Sequence, residues 1–140
     1  MATPDIESVQ AGDALPDRQL NCDTVQLFLY NAALWNAHRI HFDAPYAEQV
    51  EGYPGLVVAG PLIGDWLVQC AVEWMGEDGE LVSFEFSNRW AAYAGDPLVS
   101  RGTVVSADQD SGLVTLDLQV LNAEGRVIAP GRAVVRLPVG

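Results

Sequence analysis

The chain has 140 residues, enough for one hydrophobic core and too few for two ordinary ones. Hydrophobic residues make up 49% and charged residues 19%, a balance that disfavours disorder everywhere outside the first twenty positions. Seven basic residues, all arginine, face 19 acidic ones for a net charge of −12, which makes nucleic acid a poor partner and excludes polybasic attachment to anionic lipid.

Residues 1–20 are polar and acidic with two prolines, and they lack the basic start and apolar stretch of a secretory leader. They read as an N-terminal arm ahead of a single domain at 21–140, and the protein reads as cytoplasmic. Cys22 and Cys70 are the only cysteines, and neither sits in a CxxC or zinc-spaced cluster. Cys70 falls in an apolar run and reads as a small core residue. A strand is expected at Thr24 to Leu29, where Val25, Leu27 and Leu29 alternate with Gln26 and Phe28. Asn31 to His41 opens with helix-favouring Ala and Leu and ends in a polar cluster. Residues 43–50 predict one or two helical turns, with Asp43 as the cap and Pro45 near the start.

Gly52, Pro54, Gly55, Gly60 and Pro61 then break regular structure around a short apolar stretch, which predicts a loop leading to a helix. From Pro61, the residues Leu62, Ile63, Trp66, Leu67, Cys70, Ala71, Trp74 and Met75 recur at helical spacing, and Gly76 is a natural stop. This helix is apolar over most of its circumference. With Asp65, Gln69 and Glu73 it is too polar and too short for a membrane span, which needs about 20 apolar residues. Four strands are expected after Gly79, at Leu81 to Trp90, Leu98 to Ala107, Leu113 to Leu121 and Arg126 to Leu137. A helix apolar nearly all round must be wrapped by such strands. The order therefore predicts an α+β chain with the hot-dog fold, a curved antiparallel sheet around one long central helix.

Both histidines fall in one polar stretch, Trp35 to Asp43. Three readings of that stretch stay open on residue types alone. His38, His41 and Asp43 supply at most three metal ligands. As loop residues they would cap helices and satisfy backbone groups. As catalytic groups they would use the side chain that titrates nearest neutrality.

Residues 30–64, YNAALWNAHRIHFDAPYAEQVEGYPGLVVAGPLIG, resemble the hydratase segment of MaoC-like enzymes, specifically the hydroxyacyl-thioester dehydratase type 2 branch that includes mesaconyl-CoA hydratase-like proteins. The resemblance runs through N-x-H-R-I-H-x-D and then E-G-Y-P-G-L-V-V-x-G-P-L, about a quarter of the chain. In the wider family a carboxylate and a His five residues later share a water and act on an enoyl thioester. The resemblance makes His41 that histidine and puts Asn36 in the place of the carboxylate, as is common in this branch. An amide cannot accept a proton at neutral pH, so Asn36 could only orient water or substrate and the proton traffic rests on His41. The resemblance also assigns the Gly60 N–H to polarise the thioester carbonyl.

The substrate-binding set implied is His38, Arg39, Asp43, Tyr53, Gly55, Leu56, Ala59 and Pro61. Within it, Asp43 either orients the imidazole or caps the next helix, His38 either lines the acyl pocket or faces solvent, and Arg39 either meets a phosphate at the pocket mouth or is a solvated charge. Two departures stand out: Ala59 replaces a His, and Ser87 stands where F-x-F-R has an arginine, with Arg89 two residues on. The four tryptophans, Trp35, Trp66, Trp74 and Trp90, read as core or interface and not as a substrate platform.

The activity implied is hydration of 2-enoyl thioesters, or dehydration of 3-hydroxyacyl thioesters, carried on coenzyme A or acyl carrier protein. No metal or redox cofactor is expected beyond the substrate's own pantetheine arm, and a homodimer or a heteromer with a related hot-dog subunit is expected. Two rivals remain: a hot-dog thioesterase, which commonly relies on a carboxylate that Asn36 does not supply, and a non-catalytic partner subunit, suggested by Asn36, Ala59 and Ser87 together.

Overall fold

A computed structural model describes residues 2–140. In chain order the elements are β1 (Arg18–Leu20), α1 (Thr24–Ala33), α2 (Ala44–Gln49), α3 (Gly60–Met75), β2 (Glu80–Phe86), β3 (Leu98–Ala107), β4 (Leu113–Leu121) and β5 (Val127–Arg136). The strands form one five-stranded antiparallel sheet in the order β1-β3-β4-β5-β2. Register shifts at Val104/Ser106, Val120/Leu121 and Leu81/Ser83 mark bulges, which increase local twist and let the sheet curl around the helix.

Helix α3 lies in that curl, as its apolar circumference requires. Leu62, Ile63, Trp66, Leu67, Cys70 and Ala71 are all buried on it, against Leu116, Leu118, Val120, Ile128, Ala133 and Val135 of β4 and β5. Strand β4 shows the complementary period of two, with Val114, Leu116, Leu118 and Val120 buried. Pro61 sits in the first turn of α3, where its missing N–H costs no helical bond, and Gly76 ends the helix at φ 72°. Among the described residues no helix is long and apolar enough to cross a membrane.

Three expectations are corrected. The strand expected at Thr24 to Leu29 is the first part of α1. The Asp23 carboxylate accepts the Gln26 N–H as an N-cap, and the buried side chains are Leu27 and Asn31, four apart, while Val25, Phe28 and Leu29 stay exposed. Alternating hydrophobicity at this segment therefore marks no sheet face. The expected arm is, from residue 2, part of the same domain: Ile6, Val9, Leu15 and Leu20 are buried in the main core, and β1 pairs with β3. The strand expected at Leu81 to Trp90 stops at Phe86. Beyond it the N–H groups of Ser87, Arg89 and Trp90 bond to the carbonyls of Pro130 and Ile128 without continuing the ladder. Of the tryptophans, Trp66 is buried and Trp74 packs on the core, whereas Trp90 is 54% and Trp35 93% exposed.

Candidate active site

The polar stretch is shaped by its backbone. Trp35 adopts φ 55°, the left-handed region that a bulky residue seldom occupies, and turns the chain back at the end of α1. The Asn36 N–H then bonds to the Asn31 carbonyl, and the Asn36 Oδ1 accepts the His38 N–H at 3.1 Å. A 3-10 turn at Arg39–His41 follows. It carries the His41 ring inward, so that only 7% of the residue remains exposed.

His41 Nδ1 lies 2.6 Å from the Val57 carbonyl oxygen. A carbonyl only accepts, so Nδ1 must carry the hydrogen, and Nε2 is the nitrogen left to take or give a proton. Val57 is itself fixed, because its N–H donates to the Ile40 carbonyl at 2.9 Å and it bridges Tyr93. The two segments thus hold each other, residue 40 to residue 57 by backbone and residue 41 to residue 57 by side chain. The exposed His38 ring stands edge-on to the His41 ring at 5.7 Å between centroids.

Three residues after Val57, Gly60 opens α3. In the first helical turn the Leu62 and Ile63 N–H groups donate to the Ala59 carbonyl, and Pro61 has no N–H. Ala59 offers no side-chain cap, so the Gly60 N–H is the donor left, among the described residues, for an incoming group. The positive end of α3 adds to its pull on negative charge.

Asp43 does not orient the imidazole. One of its oxygens accepts the Tyr46 N–H at 3.2 Å as the cap of α2, and the other accepts Arg39 Nε and Nη2 at 2.9 and 2.7 Å. The Arg39 hydrogen bonds, and after them the Tyr46 N–H, hold the Asp43 carboxyl below the usual carboxylate range. Arg39 is therefore neutralised, and its guanidinium also lies 4.1 Å over the Tyr46 ring, so it is not a free cation at a pocket mouth. The same engagement removes Asp43 from a metal set with the two histidines, and among the described residues no three His, Cys, Asp or Glu side chains converge to hold an ion. Asp43→Ala is expected to lower the melting temperature by a few degrees, through the lost cap. It should leave the His41 Nδ1–H proton resonance in place; an imidazole that depended on Asp43 would lose that signal.

The remaining predicted contacts divide by burial. Tyr53 and Leu56 pack on a small cluster of Ile40, Ala47 and Val57, and Tyr53 tilts against Tyr93. Ala59 is fully buried, Pro61 is exposed, and Gly55 has open space where a side chain would stand. Asn36 lies on the wall of a groove of about 250 Å³, with Phe28, Ala32, Trp35 and Phe42 as its apolar lining. Both thiols are buried; burial and then the Asp23 charge push Cys22 up to about 11, and burial raises Cys70 as well, so neither supplies a thiolate at neutral pH.

One neighbour of the site was not foreseen. The Asn88 carboxamide lies against Gly60, and two residues earlier the Phe86 ring lies against Gly64, one turn further along α3. Gly60 and Gly64, four apart on α3, thus meet Asn88 and Phe86, two alternate residues of an extended segment that share one face.

Residues 2–94 match the hydroxyacyl-thioester dehydratase type 2 family. The mesaconyl-C(4)-CoA hydratase of Chloroflexus aurantiacus is 44% identical over 68 residues, which make up 49% of this chain and 22% of that protein. The matches thus span less than a quarter of the length of the curated relatives. Among solved structures, the (R)-hydratase of A. caviae involved in PHA biosynthesis has a TM-score of 0.85 over 94% of this chain and 99% of its own, at 18% identity. The ChsH1-ChsH2 complex of Mycobacterium tuberculosis has a TM-score of 0.81 over 92% and 98%, also at 18% identity. These likenesses show the hot-dog fold. With well over half of its length matched, and with the N-x-H-R-I-H-x-D stretch folded beside the start of the central helix, the chain belongs to the hydroxyacyl-thioester dehydratase type 2 family.

Proposed function

We propose that the protein is a hydro-lyase that adds water across the double bond of a 2-enoyl thioester, or removes it from the 3-hydroxyacyl thioester, with coenzyme A or acyl carrier protein as the carrier. The observation that carries this reading is the pinned imidazole: His41 holds its Nδ1 on the carbonyl of Val57, three residues ahead of the Gly60 N–H left over at the head of α3, and keeps Nε2 for chemistry. In the hydration direction Nε2 takes a proton from water as the water oxygen bonds to the β carbon. The π electrons move toward the thioester oxygen, where the Gly60 N–H meets the developing charge, and the proton is delivered to the α carbon as the enolate collapses. Asn36, an amide, orients the water or the substrate hydroxyl through its NH2, since its oxygen already accepts the His38 N–H. The thioester itself acidifies the α proton, so the proposed steps call for no redox group or metal.

The protein is proposed to act as a homodimer or with a related hot-dog subunit. The exposed Val25, Phe28, Leu29, Leu34 and Trp35 support this, being too apolar a face to leave in water. Asn36 favours a second reading, that of a non-catalytic partner subunit, because it stands where the wider family has a carboxylate. Crotonyl-CoA separates the readings when enoyl absorbance and free thiol are followed in parallel. Loss of absorbance without thiol release is the expected result. Thiol release would make the protein a thioesterase, and no change in either signal, with or without a related subunit, would leave only the non-catalytic role.

A further inference from the structure

Resting on that reading of the site, we propose that Asn88 is a second donor to the thioester carbonyl, its side-chain N–H sharing the oxygen with the Gly60 N–H. The starting point is the crowding at Gly60. A Cβ built on that residue would fall 2.5 Å from Asn88 Nδ2 and 3.3 Å from its Cγ, so the Asn88 amide occupies the space that any side chain at position 60 would need. Covalent geometry puts the N and Cβ of one residue about 2.5 Å apart, so Asn88 Nδ2 lies within about 5 Å of the Gly60 nitrogen. Two N–H donors can share one oxygen when each is about 2.9 Å from it, which is possible at any separation up to about 5.8 Å. The two groups meet that condition.

The carboxamide is available, and the backbone on either side of it is held. Among the described residues its side chain makes no hydrogen bond, and it is exposed enough for a substrate to reach. The backbone on either side is tied to β5, with the Ser87 N–H on the Pro130 carbonyl at 3.0 Å and the Arg89 N–H on the Ile128 carbonyl at 2.9 Å. Phe86, packed on Gly64, fixes the register along α3. A donor without a partner among the described residues thus stands beside the Gly60 N–H left over at the head of α3, where the proposed reaction gathers negative charge on oxygen. A second donor there stabilises the enolate more than the neutral thioester, and so acts on turnover.

Asn88→Asp and Asn88→Ala separate this role from a space-filling one. Aspartate keeps the shape of asparagine but has only acceptors, and its charge opposes the enolate, whereas alanine merely removes the group. We expect Asn88→Ala to lower kcat for crotonyl-CoA by about 10- to 100-fold, with KM and the melting temperature little changed, and Asn88→Asp to lower it further. A packing role predicts the reverse order, and kcat retained in both variants, or retained better in Asp than in Ala, would overturn the proposal. A second measurement does not depend on turnover: 3-hydroxybutyryl-CoA is titrated into the His41→Gln chain while the Gly60 amide and the Asn88 side-chain NH2 signals are followed by 15N NMR. Both should shift. A shift at Gly60 alone overturns the role of Asn88 and leaves the site reading intact, whereas no shift at either overturns the site reading itself.

Discussion

Replacing His41 with glutamine is expected to lower the proposed hydration of crotonyl-CoA by about 100-fold or more, the usual consequence of removing a general acid/base. The substitution isolates chemistry from structure. A glutamine amide can still donate to the Val57 carbonyl, which is the polar bond His41 makes, so the buried position keeps a partner and the 40–57 backbone link is untouched. What is lost is the lone pair at Nε2 and the ability to carry a proton. The matched control is His38→Gln. His38 is exposed and meets His41 only edge-on at 5.7 Å, so its replacement should leave kcat within about threefold of the parent, well short of the loss of an acid/base. Steady-state rates with equal circular dichroism spectra provide the check. Turnover that survives at His41→Gln but fails at His38→Gln would move the proton transfer to the outer ring.

The sequence exposes those elements whose burial follows a single period. Helix α3 and strands β3 and β4 each bury one regular series of side chains against one core, and their bounds agree with the pattern to within a residue. Helix α1 fails that test because most of its apolar residues are not buried: Val25, Phe28 and Leu29 face outward, while Leu27 shares the buried side with a polar Asn31. The N-terminal segment fails differently. Ile6, Val9, Leu15 and Leu20 enter the core one at a time from a polar chain, with no period for a pattern to show. At the site, the motif names His41 and Gly60 as the residues of the proposed chemistry, and the choice between two roles for Asp43 was readable from Arg39, four residues before it and therefore within ion-pair reach. Asn88 was not readable as a neighbour of Gly60, because that contact comes from the way an extended segment is laid along α3.

Leu67→Ala should cause the largest loss of stability of any change proposed, about 2–5 kcal/mol, since it empties a fully buried position in the central helix. At this chain length that corresponds to a fall in melting temperature of about 10 °C. Leu67 sits where α3 meets β5, its Cδ1 3.5 Å from the point where a Cβ on Gly131 would stand. Val72→Ala on the same helix, at a residue 40% exposed, should cost about 0.5 kcal/mol or less. The two variants also test what places the Gly60 donor. Leu67 lies seven residues, or two helical turns, along α3 from Gly60. The local bonds that hold the head of the helix are the Val57 N–H to Ile40, the Val58 N–H to Ala92 and the Ala59 carbonyl to Leu62, and Leu67 takes part in none of them. Turnover by Leu67→Ala, measured well below its own melting midpoint, is therefore expected to stay near the parent value even as the midpoint falls. A loss of kcat in step with stability would show that the core of the sheet, and not the loop before α3, sets the position of the donor.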